Sequence, residues 1–389
     1  LTRCLNNQLK ILVMDWVERE RKALIQFYLR KKVVFERGDG CWLYDVDGKK
    51  YLDMVAGIAT VSIGHSHPLF IERVSEQLKK LIHVSNLYYT IPQIQLAEKL
   101  KEISGMDKFF FCNSGTEAVE GALKFARKIT GKKKFLAFTG SFHGRTLGSL
   151  SVTHKEKFRK PFEPLLDSEF AEYNNPDLGK FMNNNLAAVI LEPVLGEAGV
   201  FPAKKEFLKE IFRLRDEYGF VVIFDEVQTG FGRTGRWFAK DHHGFKPDIM
   251  TMAKAMGSGF PIGGIGVTEE VAEKLAAGEH GSTFGGNVLA SSASLATIEI
   301  IEKENLVENS EKMGKYLVKR LEGLSIVESI RGLGLMVGAK VENSPKLVEK
   351  ALNKGLVLNN TSEDALRFVP PLVIDKEEID YCIEILNSI

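Results

Sequence analysis

Along residues 38–54, "GDGCWLYDVDGKKYLDM", apolar and polar positions alternate on both sides of Asp47-Gly48. Period-two alternation around an Asp-Gly pair predicts a β-hairpin. From about residue 58 the rhythm changes. Helical stretches such as "FIERVSEQLKKLI" alternate with short apolar runs: "KFFF" (108–111), "KFLAF" (134–138), "LAAVIL" (186–191), "VVIF" (221–224) and "DIMTMA" (248–253). Such alternation predicts a mainly parallel sheet covered on both faces, an α/β fold. Beyond about residue 290 the pattern is a helix, then short strands and helices in "VESIRGLGLMVGAKV", "GLVLN" and "ALRFVPP", as expected of a smaller α+β domain. The expected organisation is an N-terminal segment (1–57) that joins the small domain, a large domain (58–289) and the C-terminal small domain (290–389). Ahead of the hairpin, "MDWVERERKALIQFYLRKK" reads as a helix with Val17, Leu24 and Phe27 on one side, and residues 1–13 are expected to be dispensable.

Composition narrows the class. Hydrophobic residues make up 44% of the chain, enough for a sizeable core, and charged residues 26%, an ordinary soluble surface. A formal net charge of +1 supplies no global field that would recruit nucleic acid or an anionic membrane. No apolar run approaches the roughly 18 residues of a membrane span. The apolar run near the N-terminus is too short for a signal-peptide core. Cys4, Cys41, Cys112 and Cys382 are scattered without a CxxC pair, as expected of reduced thiols in a cytoplasmic protein.

The chemistry begins at "VVIFDEVQTG" (221–230), an apolar strand that runs into Asp225 and Glu226. Open α/β sheets bind ligands at the carboxyl ends of their strands. A carboxylate there holds Mg²⁺ in nucleotide hydrolases, or pairs with the pyridinium nitrogen of pyridoxal phosphate. The metal reading needs a GxxxxGK[ST] loop. The Gly-Lys pairs at 48, 131, 179 and 314 have no Gly five residues before and no Ser or Thr after. A different phosphate cradle is available in "FFFCNSGTEAVEGALKFARK". There Ser114, Gly115 and Thr116 lie between a strand and an amphipathic helix whose N-terminus offers free N–H groups. An ordinary Ser or Thr N-cap fits the same residues. A pyridoxal cofactor also needs a lysine for its Schiff base. Lys254, in "PDIMTMAKAMGSGFPIGG", follows an apolar strand and can share one crevice with Asp225.

With these elements in this order, the sequence resembles the class III, or ω-amino-acid, aminotransferases, from about Gly38 to Pro371. The matching stretches are "NSGTEAVEGALKFAR", "SFHGRT", "EPVLGEAGV", "IFDEVQTGFGRTG", "PDIMTMAKAMGSGFPIG", "HGSTFGGN", "RGLGLMVG" and "LRFVPPL". Within that family it is most similar to the acetylornithine aminotransferases and related enzymes of lysine and arginine biosynthesis. The resemblance implies a fold-type I pyridoxal-phosphate transferase, with a large mainly parallel-sheet domain and a smaller α+β domain. It implies that Ser114, Gly115 and Thr116 hold the cofactor phosphate. Phe142 would stack on the ring, Val227 would also contact the cofactor, Asp225 would pair with the ring nitrogen and Gln228 with its hydroxyl. Lys254 would carry the cofactor and move the proton. Ser282 and Thr283 would reach across a homodimer interface into a shared site, Thr283 to the neighbour's phosphate. Arg145 would grip the substrate α-carboxylate and Arg367 that of glutamate. Glu197 would pair with Arg367 when the donor carries no carboxylate at the reacting carbon.

The implied reaction moves the ω-amine of an N-protected diamino acid, N2-acetylornithine or a protected lysine, to 2-oxoglutarate. Ala198 of "GEAGV" resembles ornithine δ-aminotransferases, whereas His143 of "FHGRT" does not. "ARKITGKKKFLAF" and "LIQFYLRKK" resemble archaeal-type enzymes acting on a protected lysine precursor, sometimes borne on a small amino-group carrier protein. Ornithine or 4-aminobutyrate transamination, or an aminomutase of the same fold, are the alternatives. No metal is expected. His65 and His67 read as a turn and a core contact, His242-His243 as a solvated helix end, "TGKKKF" (130–135) as a solvated charge run, and Glu226 as pointing away from Asp225.

Overall fold

The computed structural model describes residues 15–389. The expectation for residues 1–13, and Cys4, lie outside the described residues. A seven-stranded sheet dominates, in the order Lys108–Cys112, Gly263–Val267, Ile249–Met252, Val221–Asp225, Leu186–Leu191, Lys134–Phe138 and Ser168–Ala171. Gly263–Val267 is antiparallel to both its neighbours, and all other pairs are parallel. The interior strands are apolar throughout because both faces are covered. Successive side chains point to opposite faces. Val221 and Ile223 therefore join one core with Ala118, Ala122 and Phe125 of helix Gly115–Thr130. Val222 and Phe224 join the other, with Phe207, Leu208 and Ile211 of helix Lys205–Tyr218. Both helices stop at a left-handed glycine, Gly131 and Gly219.

Two of these strands were not expected. "SEFA" (168–171) is an edge strand with little apolar signal, and "GGIGV" (263–267) is rich in a residue that strands usually avoid. Packing explains the second. A Cβ on Gly263 would come within 2.8 Å of the Cys112 Sγ, so only glycine lets these strands approach.

The hairpin Trp42–Asp45/Lys50–Asp53 turns through Gly48, and Leu356–Val357 pairs in parallel with its second strand. The N-terminal and C-terminal parts thus share one small sheet. A second, fully antiparallel sheet runs Val327–Leu333, Met336–Val341, Ala365–Phe368 and Asn359–Ser362. It packs with helices Leu306–Leu321, Ser344–Asn353 and Lys376–Asn387 in the largest apolar cluster.

The N-terminal helical reading needs correction. Residues 15–23 are helical, but the chain then leaves the helix, and Ile25, Phe27, Tyr28 and Leu29 are exposed. A lone helix of this length is marginal without a surface to pack on, and those side chains find none among the described residues. Lys132 of the charge run is not merely solvated. Its Nζ donates to the Tyr218 and Gly219 carbonyls, capping helix Lys205–Tyr218.

Helix Leu306–Leu321 meets the turn of the antiparallel sheet through Gly314, where a Cβ would overlap the Gly334 carbonyl and lie 2.8 Å from the Gly334 Cα. Gly314→Ala should therefore destabilise the protein by about 1–3 kcal/mol, the usual cost of overpacking. Gly179→Ala, where nothing stands within 4 Å, should be close to neutral. Urea midpoints of the two variants check this, and equal midpoints would contradict it.

Candidate active site

At the carboxyl edge of the large sheet lies a cavity of about 410 Å³. Ser114, Gly115, Thr116, Phe142, Arg145, Glu197, Asp225, Val227, Gln228 and Lys254 all line it. Residues that look remote in sequence are gathered because each follows a strand or begins a helix at the same sheet edge.

Asp225 ends strand Val221–Asp225 and is buried. A buried carboxylate needs donors. The Val227 N–H and the Thr251 hydroxyl each donate to Oδ1 at 3.1 Å, and His143 Nδ1 lies 2.7 Å from Oδ2. His143 Nε2 is buried and has no partner among the described residues. Glu226 points away, as the alternation of strand side chains requires. It accepts from the Thr229 hydroxyl and from the Ala239 and Lys240 amides. Burial pushes its carboxyl up to about 7.

Lys254 opens a 3₁₀ turn after strand Ile249–Met252, with φ of +45°. A non-glycine residue in that region costs on the order of 1–3 kcal/mol, which the surrounding structure must offset. Burial, then the nearby Arg367 guanidinium, bring the Lys254 amine down to about 8, against the pull of Glu197, Asp225 and Glu192.

Helix Gly115–Thr130 starts at the cavity wall. Ser114 caps it, accepting from the Glu117 N–H at 3.3 Å, while Glu117 accepts from the Asn113 N–H at 2.5 Å. Ser114 is thus an ordinary N-cap that also lines the cavity. Among the described residues, nothing accepts from the Gly115 and Thr116 amides. The Thr116 hydroxyl is already engaged, with Ser149 Oγ at 2.6 Å and Thr146 Oγ1 at 2.9 Å. Its backbone N–H, not its hydroxyl, is what Thr116 leaves for an anion.

Glu197 sits at the tip of the short hairpin Val194–Leu195/Phe201–Pro202. Arg367, on strand Ala365–Phe368 of the antiparallel sheet, is buried. Its Nη1 donates to Glu197 Oε1 at 2.6 Å and to Gln228 Oε1 at 3.1 Å, and its Nη2 to Asn359 Oδ1 at 2.7 Å. Burial alone would raise the Glu197 pKa. The Arg367 charge and hydrogen bond, with Lys254 and Lys155, outweigh that and hold the carboxyl below its usual range.

Ser282 and Thr283 are not brought to this cavity. Ser282 Oγ accepts from Asn113 Nδ2 at 3.3 Å, and Thr283 is exposed. His65 and His67 each meet a carboxylate, Asp53 and Glu304, both at 2.8 Å. His242 and His243 are half-buried and bond the Thr234 and Ala203 carbonyls, so they are not a solvated helix end. Sequence reading also missed Glu192. It follows strand Leu186–Leu191 as Asp225 closes its own, and it accepts from the Phe142 N–H at 2.9 Å and the Gly196 N–H at 3.0 Å. Burial pushes its carboxyl up to about 7. The signal was an acidic residue closing an apolar run.

The family described as aminotransferase class III matches residues 28–389. An acetylornithine aminotransferase of Archaeoglobus fulgidus is 64% identical over 96% of this chain and 100% of its own length. One of Methanocaldococcus jannaschii is 46% identical over 96% of this chain and 98% of its own. Among solved structures, an ornithine aminotransferase of Toxoplasma gondii with partial occupancy of PLP superposes with a TM-score of 0.92. It is 29% identical and covers 97% of this chain and 93% of that one. An acetylornithine aminotransferase of Elizabethkingia anophelis gives a TM-score of 0.84 at 30% identity, covering 97% and 98%.

A lysine with its pKa near 8 exposes far more free amine at neutral pH than an ordinary one near 10.4. Lys254 should therefore react with an amine-acylating reagent along a pH curve with its midpoint near 8. Mass-spectrometric mapping of Lys254 labelling in ligand-free protein measures this, and a midpoint at the ordinary lysine value would contradict it.

Proposed function

Since the chain belongs to the class-III aminotransferases, which use pyridoxal phosphate, we propose that it transfers the ω-amine of an N-protected diamino acid to 2-oxoglutarate. N2-acetylornithine is the favoured donor, as in arginine biosynthesis, and a protected lysine is its closest competitor. The observation that carries this reading is the unequal state of two arginines, Arg145 lining the cavity and Arg367 buried behind Glu197, which lines it. Arg367 is paired with Glu197 at 2.6 Å, and Arg145 has no carboxylate partner among the described residues. The names of the relatives point the same way.

The residues present suit the cofactor. The free Gly115 and Thr116 amides at the positive end of a helix would take its phosphate. Phe142 and Val227 would wall its ring, Asp225 would face the ring nitrogen and Gln228 the ring hydroxyl, while Lys254 would hold it covalently. When bound, pyridoxal phosphate supplies the carbonyl that accepts the amine and a ring that withdraws electrons from the carbon losing its proton. Lys254 Nζ takes that proton and returns it, and a pKa near 8 suits an amine that must do both. Arg145 binds the α-carboxylate of the diamino acid. Glu197 covers Arg367 while that donor's methylenes pass, and yields it to glutamate in the other half-reaction.

The protein is proposed to act as a cytoplasmic homodimer. No described helix is long and apolar enough to cross a membrane, and Cys41, Cys112 and Cys382 are buried free thiols. Segments 83–89 and 282–285 adjoin through Asn86 and the His83–Phe284 ring contact, and between them expose Leu87, Tyr88, Tyr89 and Phe284. Such a patch suits a second copy, which would bring the exposed Thr283 to the neighbour's phosphate.

Amino-donor assays with 2-oxoglutarate, comparing N-acetylornithine, N-acetyllysine, ornithine and 4-aminobutyrate, test the substrate reading. N-acetylornithine should lead, and a clear preference for 4-aminobutyrate would overturn it. In single-turnover measurements, Glu197→Ala should hold or improve the glutamate half-reaction and weaken the ω-amine half. The ratio should move by about 5–150-fold if the exchange is worth about 1–3 kcal/mol, whereas equal losses would reduce Glu197 to a structural ion pair. Mixing Lys254→Ala with Thr283→Ala subunits should restore part of the activity, because one composite site keeps both residues. A fully active monomer is the contrary result.

A further inference from the structure

The Arg145 guanidinium lies 3.7 Å from the centroid of the Phe158 ring and 5.6 Å from that of Phe142. No carboxylate of the described residues pairs with it. We propose that Phe158 is a positioning residue for donor specificity: its ring face holds Arg145 at the cavity for the α-carboxylate of the ω-amino donor. The proposal rests on the reading that Arg145 binds that carboxylate.

The argument is one of chemistry. A flexible arginine at a cavity mouth must be fixed, or a substrate meets the entropy cost of ordering it. A carboxylate partner would fix it but would also compete with the substrate, as Glu197 does at Arg367. An aromatic face fixes the cation through its quadrupole and leaves the in-plane N–H donors free for a bidentate carboxylate. One arginine thus lies behind an acid that lines the cavity, and the other, at the cavity itself, is parked on a ring. The first suits a carboxylate present in only one half-reaction, the second a carboxylate of the donor.

The ring is itself held in place. Phe158 belongs to the short helical turn Glu156–Arg159. That turn is tied to edge strand Ser168–Ala171 by Phe170, whose ring lies 4.5 Å from the Arg159 guanidinium and 5.4 Å from the His154 ring. Lys157 Nζ, at 5.4 Å, and Lys155 Nζ, at 6.0 Å, stand farther from the Phe158 ring than Arg145 does.

The test pairs two donors with the same ω-amine, N-acetylornithine and its decarboxylated analogue N-acetylputrescine, on the holoenzyme. Phe158→Leu keeps an apolar side chain of similar size without the ring face. It should raise KM for N-acetylornithine by about 2–30-fold with little change in kcat, and leave N-acetylputrescine unaffected. Phe158→Tyr should match the parent protein. Equal losses for both donors in Phe158→Leu, or no change in the KM for N-acetylornithine, would overturn the proposal. Arg145→Ala separates it from the reading beneath it. If Arg145→Ala abolishes discrimination between the donors while Phe158→Leu preserves it, the role of Phe158 fails and that of Arg145 stands. If Arg145→Ala leaves discrimination intact, both fail.

Discussion

The cavity depends on one buried carboxylate finding its donors. Asp225 lies at the end of a strand sealed on both faces and, although it lines the cavity, is almost wholly withdrawn from solvent, so most of its lone pairs depend on protein donors. The donors must come from protein: Thr251 on the neighbouring strand, the amide of Val227 in its own turn, and His143 from the loop after Lys134–Phe138. Each demand fixes an element. Once His143 is drawn onto Asp225, Phe142 and Arg145 on either side of it are committed to the cavity wall. Glu192 secures the same loop from below by taking the Phe142 amide, and its other oxygen takes Gly196, next to Glu197. Two acidic residues closing adjacent strands thereby set the places of Phe142, Arg145 and Glu197.

The helix start follows a parallel logic. The Thr116 hydroxyl is spent on Thr146 and Ser149, which pins the loop carrying Arg145 to helix Gly115–Thr130. Gly144, with φ of +139°, makes this possible, since a Cβ there would lie 2.8 Å from the Thr116 Cβ. The start of that helix and the loop carrying Arg145 are therefore tied together.

Much of this was legible in the chain. Five apolar runs marked five strands of the large sheet, and the family motifs marked the residues that line the cavity. The relatives and the sheet topology agree with a fold-type I pyridoxal-phosphate aminotransferase. What escaped was whatever depends on register or on contact across the fold. "GGIGV" carries no strand signal because its reason for being glycine is the neighbouring strand. The partnership of His143 with Asp225 joins loops of different strands, and no local spacing encodes it. Phe158 lies in a stretch of alternating charges that reads as solvated surface. The apolar residues 24–29 suggested more helix than forms, because periodicity says where a side chain could pack and not whether a surface awaits it.

The hairpin that carries Glu197 is pinned independently of its tip. Arg331 Nε donates to the Gly199 carbonyl at 2.6 Å, and Gly338 leaves no room between the hairpin and the antiparallel sheet. On the proposed reading, releasing Arg367 to glutamate therefore asks for a turn of the Glu197 side chain on a hairpin that is itself held in place. Side-chain rotation in exposed residues runs on picosecond to nanosecond timescales, far faster than typical enzyme turnover, and Glu197, the partly exposed partner, is the one that would turn. On the proposed reading, a gate of this build would add little conformational delay to the choice between two unlike substrates.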